Sequence, residues 1–227
     1  MDAVLLKALA FSSTALALFF SIVLHEISHG YVASLLGDDT AKNAGRLTLN
    51  PLAHVDRTGT IVLPLLLLIA RTPFLFGWAK PVPVRFDSLR YGGWGMALVA
   101  LAGPATNFIL ATLSLIVLEI FFRFSDSWTA LFFQNMVLCN LSLMLFNLIP
   151  VLPLDGGRIL HGILPEKAAA VFARTERWGM GLMILFLIVL PALGDFFGYN
   201  WNVVGMYLLA GGRVFLSAAA KIAGFFS

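Results

Sequence analysis

Residues 8–36, ALAFSSTALALFFSIVLHEISHGYVASLL, decide what kind of molecule this is. The stretch 8–24 carries no charge, and its apolar pattern runs on past His25, Glu26 and His29 to Leu36, where Gly37-Asp38-Asp39 ends it. A helix needs about 20 mostly apolar residues to cross the hydrocarbon core of a bilayer, and this stretch supplies them. A secretory signal would place a small-residue cleavage site after its apolar core; here a His-Glu pair follows, so the segment reads as mature structure.

The rest of the chain has the same character. Of its 227 residues 59 % are apolar and 12 % charged, against about 25 % charged and about 45–50 % apolar in soluble domains. So little polar surface cannot cover a globule in water, which excludes a soluble enzyme, a disordered chain and a nucleic-acid binder. Lipid is the natural solvent, and the bilayer is the first partner. Four further spans are expected at 94–122, 129–149, 178–193 and 199–220, the fourth short and ending at Pro191. Residues 59–70, GTIVLPLLLLIA, would cover only about 18 Å as a helix, at about 1.5 Å per residue, short of the roughly 30 Å core. We expect this segment to dip in and return, a distorted sixth span being the other option. The loops 37–58, 71–93 and 156–177 and the C-terminus then share one side and hold twelve of the fifteen Lys and Arg, and the positive-inside rule makes that side cytoplasmic. The expectation is an all-α polytopic membrane protein: a single membrane-embedded domain, 1–227, built as a helical bundle of five to six membrane segments, in a bacterial-type cytoplasmic membrane. The lone Cys139 lies in an apolar run and reads as a buried, inert thiol.

Within the first span, His25-Glu26-Ile27-Ser28-His29 is an H-E-x-x-H pattern. Spacing of i and i+4 stacks both imidazoles on one helical face, where they can bind one metal ion. Glu26, beside the first of them, can reach a metal-bound water as general base. Two nitrogens plus a carboxylate suit zinc, with an open fourth position for water. Three ionisable groups inside a membrane helix each cost at least a few kcal/mol unless paired or useful, which argues against chance. A third ligand is still needed. Most acidic residues fall in solvated or mixed-charge loops or near the far face, whereas Asp155 sits in an apolar setting, Asn147-Leu-Ile-Pro150-Val-Leu-Pro153-Leu-Asp155-Gly156-Gly157-Arg158. The prolines and glycines break the third span there and let a side chain approach a metal. Asp155 could also simply start a short helix at 156–164 as its N-cap. Depth favours the ligand role: His25 and His29 lie about 16 and about 10 Å below Leu36, and Asp155 about 15 Å below Pro165 if that stretch is helical.

These motifs, together with Ala102-Gly103-Pro104-Ala-Thr-Asn107 and Asn50-Pro51-Leu-Ala-His54-Val-Asp56, resemble the site-2 protease family of intramembrane zinc metalloproteases, in its compact branch without PDZ or CBS domains. The resemblance extends over most of the chain. It implies one Zn2+ held by His25, His29 and Asp155, with Glu26 as catalytic base. The activity it implies is hydrolysis of peptide bonds within or near the transmembrane segments of membrane-protein substrates. Asn147 is expected to steady the developing oxyanion; Asn107 stands between that role and interhelical hydrogen bonding, and His54 reads as a loop histidine near the entrance. The unwound Pro150–Pro153 stretch offers backbone groups for strand-like pairing with an extended substrate. A membrane metal-ion transporter would also bury His and Asp at mid-depth, but with repeated halves that the sequence does not show.

Overall fold

A computed structural model describes residues 3–62, 65, 66, 69, 78–122, 125 and 127–225. Helix α1 spans Ala3–Leu35. Its buried row, Ser13, Ala17, Ser21, His25, His29 and Ala33, recurs every fourth residue, so a slowly winding stripe of small and polar side chains faces the neighbours. Large apolar side chains such as Phe11, Leu16 and Leu18 point outward, which is stable only in lipid. The helix stops because Gly37 takes a left-handed φ of 103°, and the Asp38 N–H then closes back on the Ala33 carbonyl at 2.9 Å.

Against this stripe pack α2, Gly93–Phe121, and α3, Trp128–Asn147, and the three helices form the heart of the molecule. Two prolines stop the chain from continuing α3. Residues 148–154 follow an irregular path, with tight bonds from Val151 N–H to the Ile149 carbonyl at 2.8 Å and from Leu154 N–H to the Val151 carbonyl at 2.9 Å. Helix α4, Asp155–Ile163, then folds back onto α2. Its glycines make this possible: Gly162 and Gly93 meet backbone to backbone, and a Cβ at Gly157 would stand 2.5 Å from the Leu152 nitrogen. A short α5, Glu166–Ala173, leads to α6, Glu176–Phe197, and α7, Val203–Phe225. The latter lies along α3, with Gly211 against the Leu145 side chain and Phe215 beside Ala111, Val137 and Leu141.

Among the described residues five helices are long and apolar enough to cross a membrane, and the protein is an all-α polytopic membrane protein with a break after α3, as expected. The fourth span differs from expectation. It passes through Pro191 to Phe197, because the π-helical turns Leu185–Val189 precede the proline and place it in the first turn of the continuing helix, where its missing N–H costs little. Of the expected re-entrant segment 59–70, residues 59–62 belong to the π-type turn Arg57–Val62; residues 63, 64, 67, 68 and 70, like 71–77 after them, lie outside the described residues, and with them the course of that segment.

Residues 78–85 run extended across the His25 end of α1. Three N–H groups on one edge of this strap, at every second residue, find partners: Trp78 on the Gly59 carbonyl at 3.2 Å, Lys80 on the His54 carbonyl at 2.9 Å, and Val82 on the Glu26 carboxylate at 2.8 Å. Arg46 Nη2 donates to the Lys80 carbonyl at 2.7 Å, and the Arg85 N–H donates to Asp38 Oδ2 at 2.6 Å. The alternate positions 81 and 83 are prolines without an N–H. Close approach of the strap to α1 depends on Gly30, where a Cβ would meet Val82 Cγ1 at 2.9 Å and Leu47 Cδ2 at 2.6 Å.

Candidate metal centre

The two imidazoles of α1 are one helical turn apart and project together, Nε2 to Nε2 at 3.0 Å. From the start of α4, Asp155 Oδ2 reaches them at 3.1 Å from His25 Nε2 and 3.4 Å from His29 Nε2. All three residues are buried. Asp155 is the first residue of α4, and its side chain makes no capping bond; the N-cap position belongs to Leu154. The carboxylate is therefore spent on the imidazoles and not on its own helix.

Helix α2 orients both rings. Its residues Val99, Gly103 and Asn107 share one face at four-residue spacing. The Val99 carbonyl sits 2.7 Å from His29 Nδ1, and Asn107 Oδ1 sits 2.5 Å from His25 Nδ1. Both oxygens accept, so each Nδ1 carries the proton and each Nε2 presents a lone pair. Gly103, between them, leaves the space in front of the rings open: a Cβ there would lie 2.5 Å from His29 Nε2 and 2.6 Å from His25 Nε2.

With both protons on Nδ1, two nitrogen lone pairs face a carboxylate oxygen and nothing donates between them. Asp155 Oδ2 is buried without a hydrogen-bond donor, a costly arrangement unless a cation sits among the three. The donor set, two neutral imidazoles and one carboxylate with their other ring nitrogens tied off, fits a tetrahedral divalent metal with one open position.

The other residues singled out from the sequence take separate places. Glu26 is half-buried, and its Oε2 accepts the Val82 N–H at 2.8 Å. Asn147, the last residue of α3, is half-buried and donates from Nδ2 to the Leu143 carbonyl of its own helix at 3.1 Å. Asn107 takes the interhelical role of the two that the sequence left open: it bonds to His25 and the Ser21 carbonyl of α1 and to Asn140 of α3. His54 is buried outside the cluster, with Nε2 2.8 Å from the Thr48 carbonyl. Two further participants carry no side-chain signature in the sequence: Val99, which contributes a backbone carbonyl, and Val82, whose N–H meets Glu26. Only the alternating prolines of Lys80-Pro81-Val82-Pro83 hinted at an extended strap.

A helical membrane bundle that gathers H-E-x-x-H and a distant carboxylate at one point within its walls has the make-up of a membrane-embedded metallopeptidase. The family follows from relatives. Residues 123–190, which include Asp155, match the model of peptidase family M50. The chain is 40 % identical over 191 residues to the Bacillus subtilis protein named "Putative zinc metalloprotease YwhC", covering 80 % of this chain and 81 % of that one. It is 28 % identical over 200 residues to "Putative zinc metalloprotease Rip2" of Mycolicibacterium smegmatis (85 % and 74 % covered). It is also 30 % identical over 193 residues to "Zinc metalloprotease MJ0392" of Methanocaldococcus jannaschii (80 % and 46 % covered). No solved structure matches the chain. The chain belongs to peptidase family M50 and is a site-2 protease-type metallopeptidase of the membrane.

Proposed function

We propose that this chain is an intramembrane zinc endopeptidase that cleaves membrane proteins within or near their transmembrane segments, with His25, His29 and Asp155 as zinc ligands, Glu26 as general base and Asn147 at the oxyanion. The observation that carries the reading is the convergence of two imidazole Nε2 atoms and one carboxylate oxygen, with both Nδ1 atoms committed to α2 and no proton left to hold the three together. The names of the relatives quoted above support zinc as the metal. Nothing in those relatives favours metal-ion transport.

Bound zinc would polarise the scissile carbonyl and lower the pKa of water. The residues of the chain do the rest. Glu26 takes a proton from the attacking water and returns it to the leaving amine. The second N–H of the Asn147 amide, not used on Leu143, is free to steady the oxyanion. Residues 148–154, outside any helix, offer backbone groups to a substrate that must unwind before its carbonyl can react. His29 lies six residues from the end of α1 at Leu35, about 9 Å along the helix. The loops beyond that end carry Lys42, Arg46, Lys80, Arg85 and Arg90, which supports a site nearer the cytoplasmic face of the cell membrane.

Glu26→Gln tests the assignment. The variant is expected to retain zinc and to lose cleavage of a membrane-protein substrate co-reconstituted in liposomes, by about 100-fold or more. Cleavage at the wild-type rate would remove Glu26 from the mechanism.

A further inference from the structure

Two buried amides connect α3 through α2 to the first imidazole. Asn140 and Asn107 are both 0 % exposed. At the far end, Asn140 Nδ2 donates to the Met136 carbonyl of its own helix at 2.7 Å. A carbonyl only accepts, so it dictates which end of the Asn140 amide faces it and turns Oδ1 toward α2. That oxygen accepts from Asn107 Nδ2 at 2.7 Å. Asn107 Nδ2 makes a second, longer bond of 3.2 Å to the Ser21 carbonyl. Both contacts call for the donor end of the Asn107 amide, so its oxygen is left to face His25 Nδ1 at 2.5 Å.

We propose that Asn140 is a positioning residue for the metal centre: by holding Asn107 in one of its two amide orientations, it keeps His25 in the tautomer whose Nε2 lone pair points at the metal. Turned over, Asn107 would present its NH2 to His25 Nδ1. That nitrogen would then have to accept, the ring proton would move to Nε2, and the face meant for the metal would carry a hydrogen. The bonds to α1 and α3 fix which way Asn107 points, and that orientation in turn fixes the tautomer of His25. The inference rests on the reading of His25 as a metal ligand.

The test is zinc affinity of the full chain in detergent, measured by competition with a chromophoric chelator, with thermal unfolding of each metal-free variant recorded alongside. Asn140→Leu removes the oxygen that Asn107 donates to and is expected to weaken zinc binding by about 10-fold or more, the range typical of outer-shell partners. Asn140→Asp in its neutral form keeps an oxygen facing Asn107 and an O–H for the Met136 carbonyl, and is expected to stay within about 3-fold of wild type. With Asn107→Asp either side-chain oxygen can accept from His25 Nδ1, so the tautomer no longer depends on which way residue 107 is turned, and Asn140→Leu is expected to cost less than about 2-fold in that background. An equal loss from Asn140→Leu in both backgrounds, an equal loss from Asn140→Asp and Asn140→Leu, or wild-type affinity in Asn140→Leu would each overturn the proposal. Should Asn140→Leu not fold, Asn140→Ala replaces it and the comparison between the two backgrounds decides. Wild-type protein that binds no zinc, or binding untouched by His29→Ala, overturns the site itself; normal wild-type binding with no effect of Asn140→Leu overturns this inference alone.

Discussion

A methyl group at position 103 would stand 2.5 Å from His29 Nε2 and 2.6 Å from His25 Nε2, inside the space a shared metal needs. Gly103→Ala is therefore expected to leave the helical content intact, at an overpacking cost of about 1–3 kcal/mol, while elemental analysis finds the purified protein largely free of zinc. Full zinc content in that variant would show that the gap is not required. At this scale much was legible. The i, i+4 spacing puts His25 and His29 on one face whatever surrounds them, and Asp155 stood out because a carboxylate among apolar residues and prolines has to be compensated. The partners of the rings were not legible. Val99 acts through a carbonyl that every residue possesses, and Asn107 meets His25 only because α2 crosses α1 at that height.

The strap shows what an element adds. Asp38 is buried at the end of α1 and takes hydrogen bonds from the Thr40 hydroxyl and N–H and from the Arg85 N–H. Burial alone would raise its pKa; the bonds from Thr40 and Arg85, with the Arg85 charge, outweigh it and hold the carboxyl below the ordinary carboxylate range. A carboxyl depressed in the folded state contributes stability above its unfolded pKa and loses it as pH falls through the folded value. Asp38→Asn is accordingly expected to make residues 78–92 more open to limited proteolysis at neutral pH. The wild type is expected to approach that behaviour only on acidification below the carboxylate range. Equal susceptibility of the two at neutral pH would remove Asp38 from this role. The boundaries of α1, α2 and α3 followed from apolar length to within a few residues, apart from α1's earlier start at Ala3. Pro191 misled because a proline ends a helix only when the preceding turns keep α geometry, and here they open into π turns.

For the whole molecule, a metal held by His25, His29 and Asp155 would cross-link the first helix to a short helix late in the chain, the two being joined otherwise through α2. Metal that binds only the folded state adds stability by mass action, about 2.7 kcal/mol at a free concentration 100 times its Kd. Chelation is expected to lower the thermal unfolding temperature of the detergent-solubilised protein, zinc to restore it, and His29→Ala to respond to neither. A wild type indifferent to zinc would mean that no such cross-link exists. The sequence by itself determined the solvent, the spanning helices of the described residues, the pair of imidazoles and the acid most suited to join them, since hydropathy and helical spacing are properties of a few neighbouring residues. Tertiary structure alone decided which ring nitrogen each histidine offers, that Asn140 and Asn107 form a chain of amides, and that a proline-edged strap lies on Glu26. The direction of a hydrogen bond depends on which carbonyl or N–H a remote stretch of backbone brings within reach, and no local pattern of side chains records that.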